Sequence, residues 1–153
     1  MAENMGITEI EGFDLVGFCT RTKNANEADS SSAKIAPLWG RFSSEAAPQL
    51  RGNPQVYGVY TNYESDHTGF FDVYACSDML STDMSEDFKE VQVKPGKYLV
   101  FSANGDMPQI AIDLWGEIWS YFSAGDCPHQ RAYTTDFEQY IGGNEVQIAI
   151  SVQ

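Results

Sequence analysis

Towards its C-terminal end the chain reads Tyr133-Thr134-Thr135-Asp136-Phe137-Glu138-Gln139-Tyr140, a strand-like run that sets two carboxylates among three aromatic rings. β-Strands are poor in Asp and Glu, so these acids either face water or serve a cavity. In a cavity, a carboxylate with aromatic walls suits an organic cation. Ring faces attract positive charge, each contributing about 0.5 to 2 kcal/mol according to desolvation, and the carboxylate neutralises it. With no ligand bound, the carboxylate would have to be protonated, hydrated or hydrogen-bonded, for instance to a tyrosine hydroxyl, because an unpaired buried charge is expensive. Strand alternation puts Asp136, Glu138 and Tyr140 on one face and Tyr133 and Phe137 on the other.

Other combinations carry less chemistry. Glu64, Asp66, His67 and Asp72 lie close in sequence, but "ESDHTG" has turn composition and lacks metal-ligand spacing such as HExxH, so no metal site is expected. Cys127 and His129 lack a supporting acid in a recognisable motif, and "NGDMPQ" lacks the glycines and lysine of a phosphate loop. No catalytic residue and no cofactor is assigned. Cys19, Cys76 and Cys127 are an odd number, widely spaced and without a CxxC pair, which suggests neither disulfides nor structural zinc.

The elements that must position Glu138 are legible through internal repetition. "LWG" occurs at Leu38-Trp39-Gly40 and again at Leu114-Trp115-Gly116, each within a helical pattern. "GFDLVGF" from Gly12 matches "GKYLVF" from Gly96, "VYGVYTNY" from Val56 matches the "AYTTDFEQY" region, and "FFDVYACS" from Phe70 matches "VQIAISVQ". The polar "NANEADSSS" from Asn24 supplies a longer connection in the first copy. Each half, about 9–78 and 90–153, reads as strand, helix, strand, strand.

Ile35, Leu38, Trp39 and Phe42 form an apolar stripe on the first helix, with the serine run as candidate N-caps and Pro37 near its first turn. Ala111, Leu114, Trp115, Ile118 and Phe122 form the stripe of the second, with Asp106 as candidate N-cap and Pro108 in the first turn. The last strand alternates Val146, Ile148, Ile150 and Val152 with Gln147, Ala149, Ser151 and Gln153, predicting one dry face. Gly142-Gly143-Asn144 predicts a hairpin turn before it. Two such units side by side predict a single α+β domain over 1–153: an antiparallel sheet, both helices on one face, and a pocket at the junction of the halves.

The segments "GKYLVFSANGDMPQIAIDLWGEIWSYF" and "RAYTTDFEQY" resemble the C-terminal half of the GyrI-like small-molecule-binding family, which includes the effector-binding domains of multidrug-responsive bacterial transcription activators. The resemblance runs from Gly12 to Val152. It looks closest to stand-alone cationic drug-binding modules encoded on integron gene cassettes. It implies a pocket at the repeat junction where aromatic rings surround a buried glutamate, and it gives that place to Glu138 through the Phe-Glu-x-Tyr motif at Phe137, Glu138 and Tyr140. Expected neighbours are Trp39, Trp115, Tyr57, Tyr60, Phe101, Tyr133 and Tyr140. For the tryptophans core packing is the alternative, and for the strand tyrosines a solvated outer face. About eleven residues precede the first expected strand, too few for the helix-turn-helix domain of the activators.

With 22 acidic against 9 basic residues and a net charge of -13, a nucleic-acid surface is not expected. The chain shows no membrane-spanning run and no signal-peptide pattern, which predicts a cytoplasmic protein. Three functions fit: a binding module for cationic, lipophilic or aromatic small molecules that senses or sequesters them; a hydrolase of reactive electrophiles using the pocket glutamate as general base; and an acidic, gyrase-inhibitor-like module with an unknown protein partner.

Overall fold

The computed structural model describes residues 3–52, 54–66 and 68–153. Eight strands form one sheet: β1 (Glu3–Ile10), β2 (Phe13–Thr22), β3 (Val56–Thr61), β4 (Phe71–Ser77), β5 (Lys89–Val93), β6 (Gly96–Asn104), β7 (Arg131–Ile141) and β8 (Glu145–Val152). Among the described residues three α-helices accompany them: the single turn α1 (Asn24–Glu27), α2 (Ile35–Arg41), which runs on into a π-helical turn (Phe42–Ala46) and a 3-10 turn (Ala47–Gln49), and α3 (Gln109–Ser123). The sheet order is β1-β6-β8-β7-β3-β4-β2-β5, and every pairing is antiparallel. The expected α+β repeat is present as β2-α2-β3-β4 and β6-α3-β7-β8, and the two halves meet where β3 pairs with β7.

Two strands were not foreseen. Residues expected to precede the first strand form β1, and the opening residues of the second half form β5. Each pairs outside its own half: β1 lies on β6, and β5 on β2. Six strand spacings of ~4.8 Å would hold β1 and β2 about 29 Å apart in a flat sheet. Yet β1 ends at Ile10 and β2 begins at Phe13, a link that spans at most about 11 Å. The sheet therefore curls until its ends approach. At Gly12 a Cβ would stand 3.0 Å from both the Val93 carbonyl oxygen and Pro95 Cδ, so the two short crossings pack directly on each other.

Curling buries both faces. On the helical face, α2 covers Phe18, Phe71 and Val73, while α3 covers Phe101, Ile148 and Ile150. Inside the curl, Leu15, Val59, Val93, Tyr98, Phe137 and Ala149 form a third core. Ala149 thus dries the reverse face of β8 as well, where one dry face was expected. Helix capping also differs from expectation. Lys34, after the serine run, occupies the N-cap of α2 without a side-chain cap. The Glu27 carboxylate instead accepts from the backbone N–H groups of Lys34 at 2.9 Å and Ile35 at 3.1 Å. Asp106 contributes its carbonyl to the Ile110 N–H rather than a side-chain cap, and Pro108 stands at the N-cap of α3 rather than within its first turn. Among the described residues no helix is long and apolar enough to cross a membrane.

Candidate ligand-binding cavity at the repeat junction

The central pair β3 and β7 sets Gly58 opposite Glu138, Tyr60 opposite Asp136 and Val56 opposite Tyr140. Their helix-side groups and the facing sides of α2 and α3 line a cavity of about 910 Å³ that opens to solvent. Gly58 makes room for the acid: a Cβ there would lie 2.5 Å from Glu138 Oε1 and 2.9 Å from its Cγ. Glu138 lines the cavity yet is only 2% exposed. Its Oε2 accepts from Trp115 Nε1 at 2.7 Å, and its Oε1 accepts from the hydroxyls of Tyr140 at 2.7 Å and Tyr60 at 3.3 Å.

All three donors are neutral, and no cation pairs with Glu138 among the described residues. Burial pushes its carboxyl above the usual range, and the bonds from Trp115, Tyr140 and Tyr60 offset only part of that rise. Burial and the adjacent Glu138 also push the hydroxyls of Tyr60 and Tyr140 upward, so both remain protonated donors.

Asp136, two residues away on β7, is fully buried but internally compensated. Arg131 NH2 lies 2.6 Å from its Oδ2, which also accepts from the Tyr63 hydroxyl. Its Oδ1 accepts from the Ser151 N–H at 2.9 Å and hydroxyl at 3.2 Å. Desolvation by burial is the largest single influence on Arg131 and opposes its charge, but the field and hydrogen bond of Asp136, together with the fields of Tyr63 and Tyr133, outweigh it and raise the guanidinium above its ordinary value. Two neighbouring buried carboxylates thus differ in one respect: only one has a cation built into the protein.

Of the expected neighbours, Trp39, Trp115, Tyr60 and Tyr140 line the cavity with Glu138. The ring of Trp39 meets Tyr140 edge-on at 5.3 Å, and Trp115 meets Tyr60 at 5.2 Å. The two helix tryptophans also pack on the cores, so packing and lining are not exclusive for them. Tyr57 and Phe101 are placed elsewhere. Tyr57 alternates to the inner side of the curl, against Phe13 and Phe137, and Phe101 packs beneath α3 against Tyr121 and Phe122. Tyr133 lies behind the wall rather than in it. The register of β7 shifts between Arg131 and Asp136, and Tyr133 has a φ of 55°. Its ring contacts Tyr63 and lies 4.6 Å from the Arg131 guanidinium. Simple alternation therefore holds at Phe137, which faces the third core, and fails at Tyr133.

Lining residues that the sequence did not mark are Glu27 on α1, Tyr63, Phe71, Met107, and Ile112 and Trp119 on α3. Trp119 follows Trp115 by one turn and could have been found from that spacing. Glu27 lies within the longer connection of the first half, where composition suggested only a loop. Of the acidic group near "ESDHTG", His67 lies outside the described residues. Asp66 accepts from the Thr68 N–H in a local turn, and Asp72 pairs with Arg21. Among the described residues, no group of His, Cys, Asp and Glu is arranged to hold a metal ion.

The family model for Cass2, integron-associated effector binding protein, matches residues 6–152. An integron cassette protein from the mobile metagenome of Vibrio cholerae, known as a crystal structure, is 52% identical, with a TM-score of 0.93 over 99% of each chain. The structure of SAV2435 bound to tetraphenylphosphonium has 21% identity and a TM-score of 0.74, over 99% of this chain and 94% of that one, a likeness of fold. YobU of Bacillus subtilis (strain 168) is 28% identical over 146 residues, 89% of this chain and 88% of its own length.

Proposed function

The chain belongs to the Cass2 family of integron-associated effector binding proteins, and from that membership we propose that its small-molecule ligands are lipophilic or aromatic organic cations. They enter the junction cavity, Glu138 supplies the countercharge, and the protein senses or sequesters them. The observation that carries this reading is the contrast on β7: Asp136 is matched by Arg131, whereas Glu138 has three neutral donors and an aromatic-lined cavity beside it. A cation inside would restore charge balance beside a carboxylate that is only 2% exposed, where Coulombic attraction is stronger than in water. The rings of Trp39, Trp115, Tyr60 and Tyr140 add attraction through their faces and exclude solvent. The relative SAV2435 was solved with tetraphenylphosphonium, an organic cation of this kind.

The test is isothermal titration of wild type and Glu138→Gln with tetraphenylphosphonium and with neutral triphenylphosphine oxide. The glutamine keeps the shape and can still accept hydrogen bonds. Affinity for the cation falls more than tenfold, about 1.4 kcal/mol or greater, while affinity for the neutral compound hardly changes. Equal cation affinity in the two proteins would remove Glu138 from the site. Recovery of unchanged ligand distinguishes binding from the hydrolase reading, in which Glu138 would activate water.

A further inference from the structure

The cavity contains a second carboxylate. Glu27 is partly buried and lines the same space as Glu138, from the α1 turn at the edge of the first half. Its Oε1 accepts from the Ile35 N–H at 3.1 Å, and its Oε2 from the Lys34 N–H at 2.9 Å and the Thr22 hydroxyl at 2.6 Å. Among the described residues no lysine or arginine forms an ion pair with it. Arg131 is the one basic residue in the described lining, and Asp136 already occupies it.

The fixed charge of the lining, with both glutamates ionised, therefore leaves two negative groups without a protein cation. They are separate loci in one cavity that opens to solvent. Glu138 stands at the β3–β7 junction, Glu27 at the start of α2, and Ile35, Tyr60 and Phe71 line the same cavity as an apolar surface. The field of Glu27 reaches Tyr60, the same residue whose hydroxyl donates to Glu138. Helix capping accounts for the hydrogen bonds of Glu27 but needs only an acceptor. A glutamine of the same reach would present an acceptor oxygen without adding a charge to the cavity wall.

We propose that the cavity selects dications: organic molecules with two positive centres separated by an apolar spacer, one centre neutralised by Glu138 and the other by Glu27. This deepens the reading of the cavity as a cation site and rests on it. A monocation balances one carboxylate and leaves the other facing an apolar ligand surface, whereas a dication of matching length balances both. Because Glu27 already holds three donors, its remaining lone pairs meet a quaternary ammonium through charge rather than through a further directed hydrogen bond.

The experiment titrates wild type, Glu27→Gln and Glu27→Asp with a series of α,ω-bis(trimethylammonium)alkanes. Each is paired with the n-alkyltrimethylammonium of the same chain length. In wild type one spacer length gives at least a tenfold advantage of dication over monocation. Glu27→Gln abolishes that advantage: it lowers dication affinity at least tenfold more than it lowers the affinity of the matched monocation, about 1.4 kcal/mol. Glu27→Asp retains the charge and restores the advantage at the same or a longer spacer, which separates loss of charge from damage to the α2 cap. If no spacer gives an advantage, or if the advantage survives Glu27→Gln, the dication inference falls while monocation binding leaves the Glu138 reading standing. If neither series binds wild type, both fall.

Discussion

With Glu138 as the countercharge proposed for bound cations, ligand binding is expected to be coupled to protons. Its folded-state carboxyl sits above its ordinary value of 4.5, chiefly through burial. The folded protein therefore holds the proton to a higher pH than the unfolded chain does. The stabilising contribution is complete below the ordinary value and is lost as pH rises through the raised folded value. Above that point the ionised, desolvated carboxylate weakens the ligand-free fold, and Glu138→Gln removes this dependence. A cation bound as proposed would favour the ionised form and lower the carboxyl again, so binding is expected to release protons near the raised value and affinity to fall as the solution is made more acidic. Calorimetry at one mildly acidic pH in two buffers of different ionisation enthalpy measures the release directly. It should be positive for wild type and absent in Glu138→Gln. Asp136 illustrates the alternative solution to the same problem, a buried acid whose guanidinium partner leaves it no role as a receptor for ligand charge.

The β3–β7 pair shows which aspects of an element can be read before its neighbours are known. Gly58 sits directly across from Glu138 in a position where a methyl group overlaps the carboxylate. Gly→Ala in a compatible strand would ordinarily stabilise by about 0.4–1 kcal/mol through the unfolded chain. Here Gly58→Ala is expected to destabilise by about 1–3 kcal/mol, as overpacking does. It should also weaken cation binding by displacing Glu138 from Trp115 and the two tyrosines. Denaturant titration and calorimetry check both effects, and the sign of the stability change alone decides between an open and an occupied position. Repetition in the sequence exposes the paired helices and puts the strand of Glu138 at the junction, the turn residues Gly142-Gly143-Asn144 mark the hairpin, and the family resemblance singles out Glu138. Periodicity gives two faces to every strand without saying which is which, so Tyr57 and Phe101 were grouped with residues on the other side of a wall. It also assumes uniform pairing, which the register shift before Asp136 breaks at Tyr133. The edge strands β1 and β5 fall outside the matched segments, so repetition did not reveal them, although Val91 and Val93 of β5 alternate with Gln92 into the third core. Glu27 caps a helix from seven residues upstream of Lys34, beyond the reach of local capping motifs.

At the scale of the whole molecule the exchanged edges bind the halves together. Deleting residues 1–10 removes β1 and leaves β6 with an open hydrogen-bonding edge. Lower denaturant stability is expected, together with self-association detectable by light scattering, because an uncovered strand edge templates further pairing. Unchanged stability and a monomer would show that β1 merely decorates the sheet. The same exchange has an ancestral reading. A single unit of strand, strand, helix, strand, strand, meeting an identical copy, would lend its first strand to the other's edge and form a two-fold dimer with the ligand space on the symmetry axis. In such a dimer every wall residue occurs twice. A glutamate near the axis would face its own image, and two like charges sharing a desolvated space could not both ionise readily. Joining the copies in one chain releases them from identity. The first copy could acquire the segment carrying Glu27 while the second kept Glu138, and Gly58 could become the recess into which that acid fits. Fusion thus permits a chemically lopsided receptor to be built on a nearly symmetric frame.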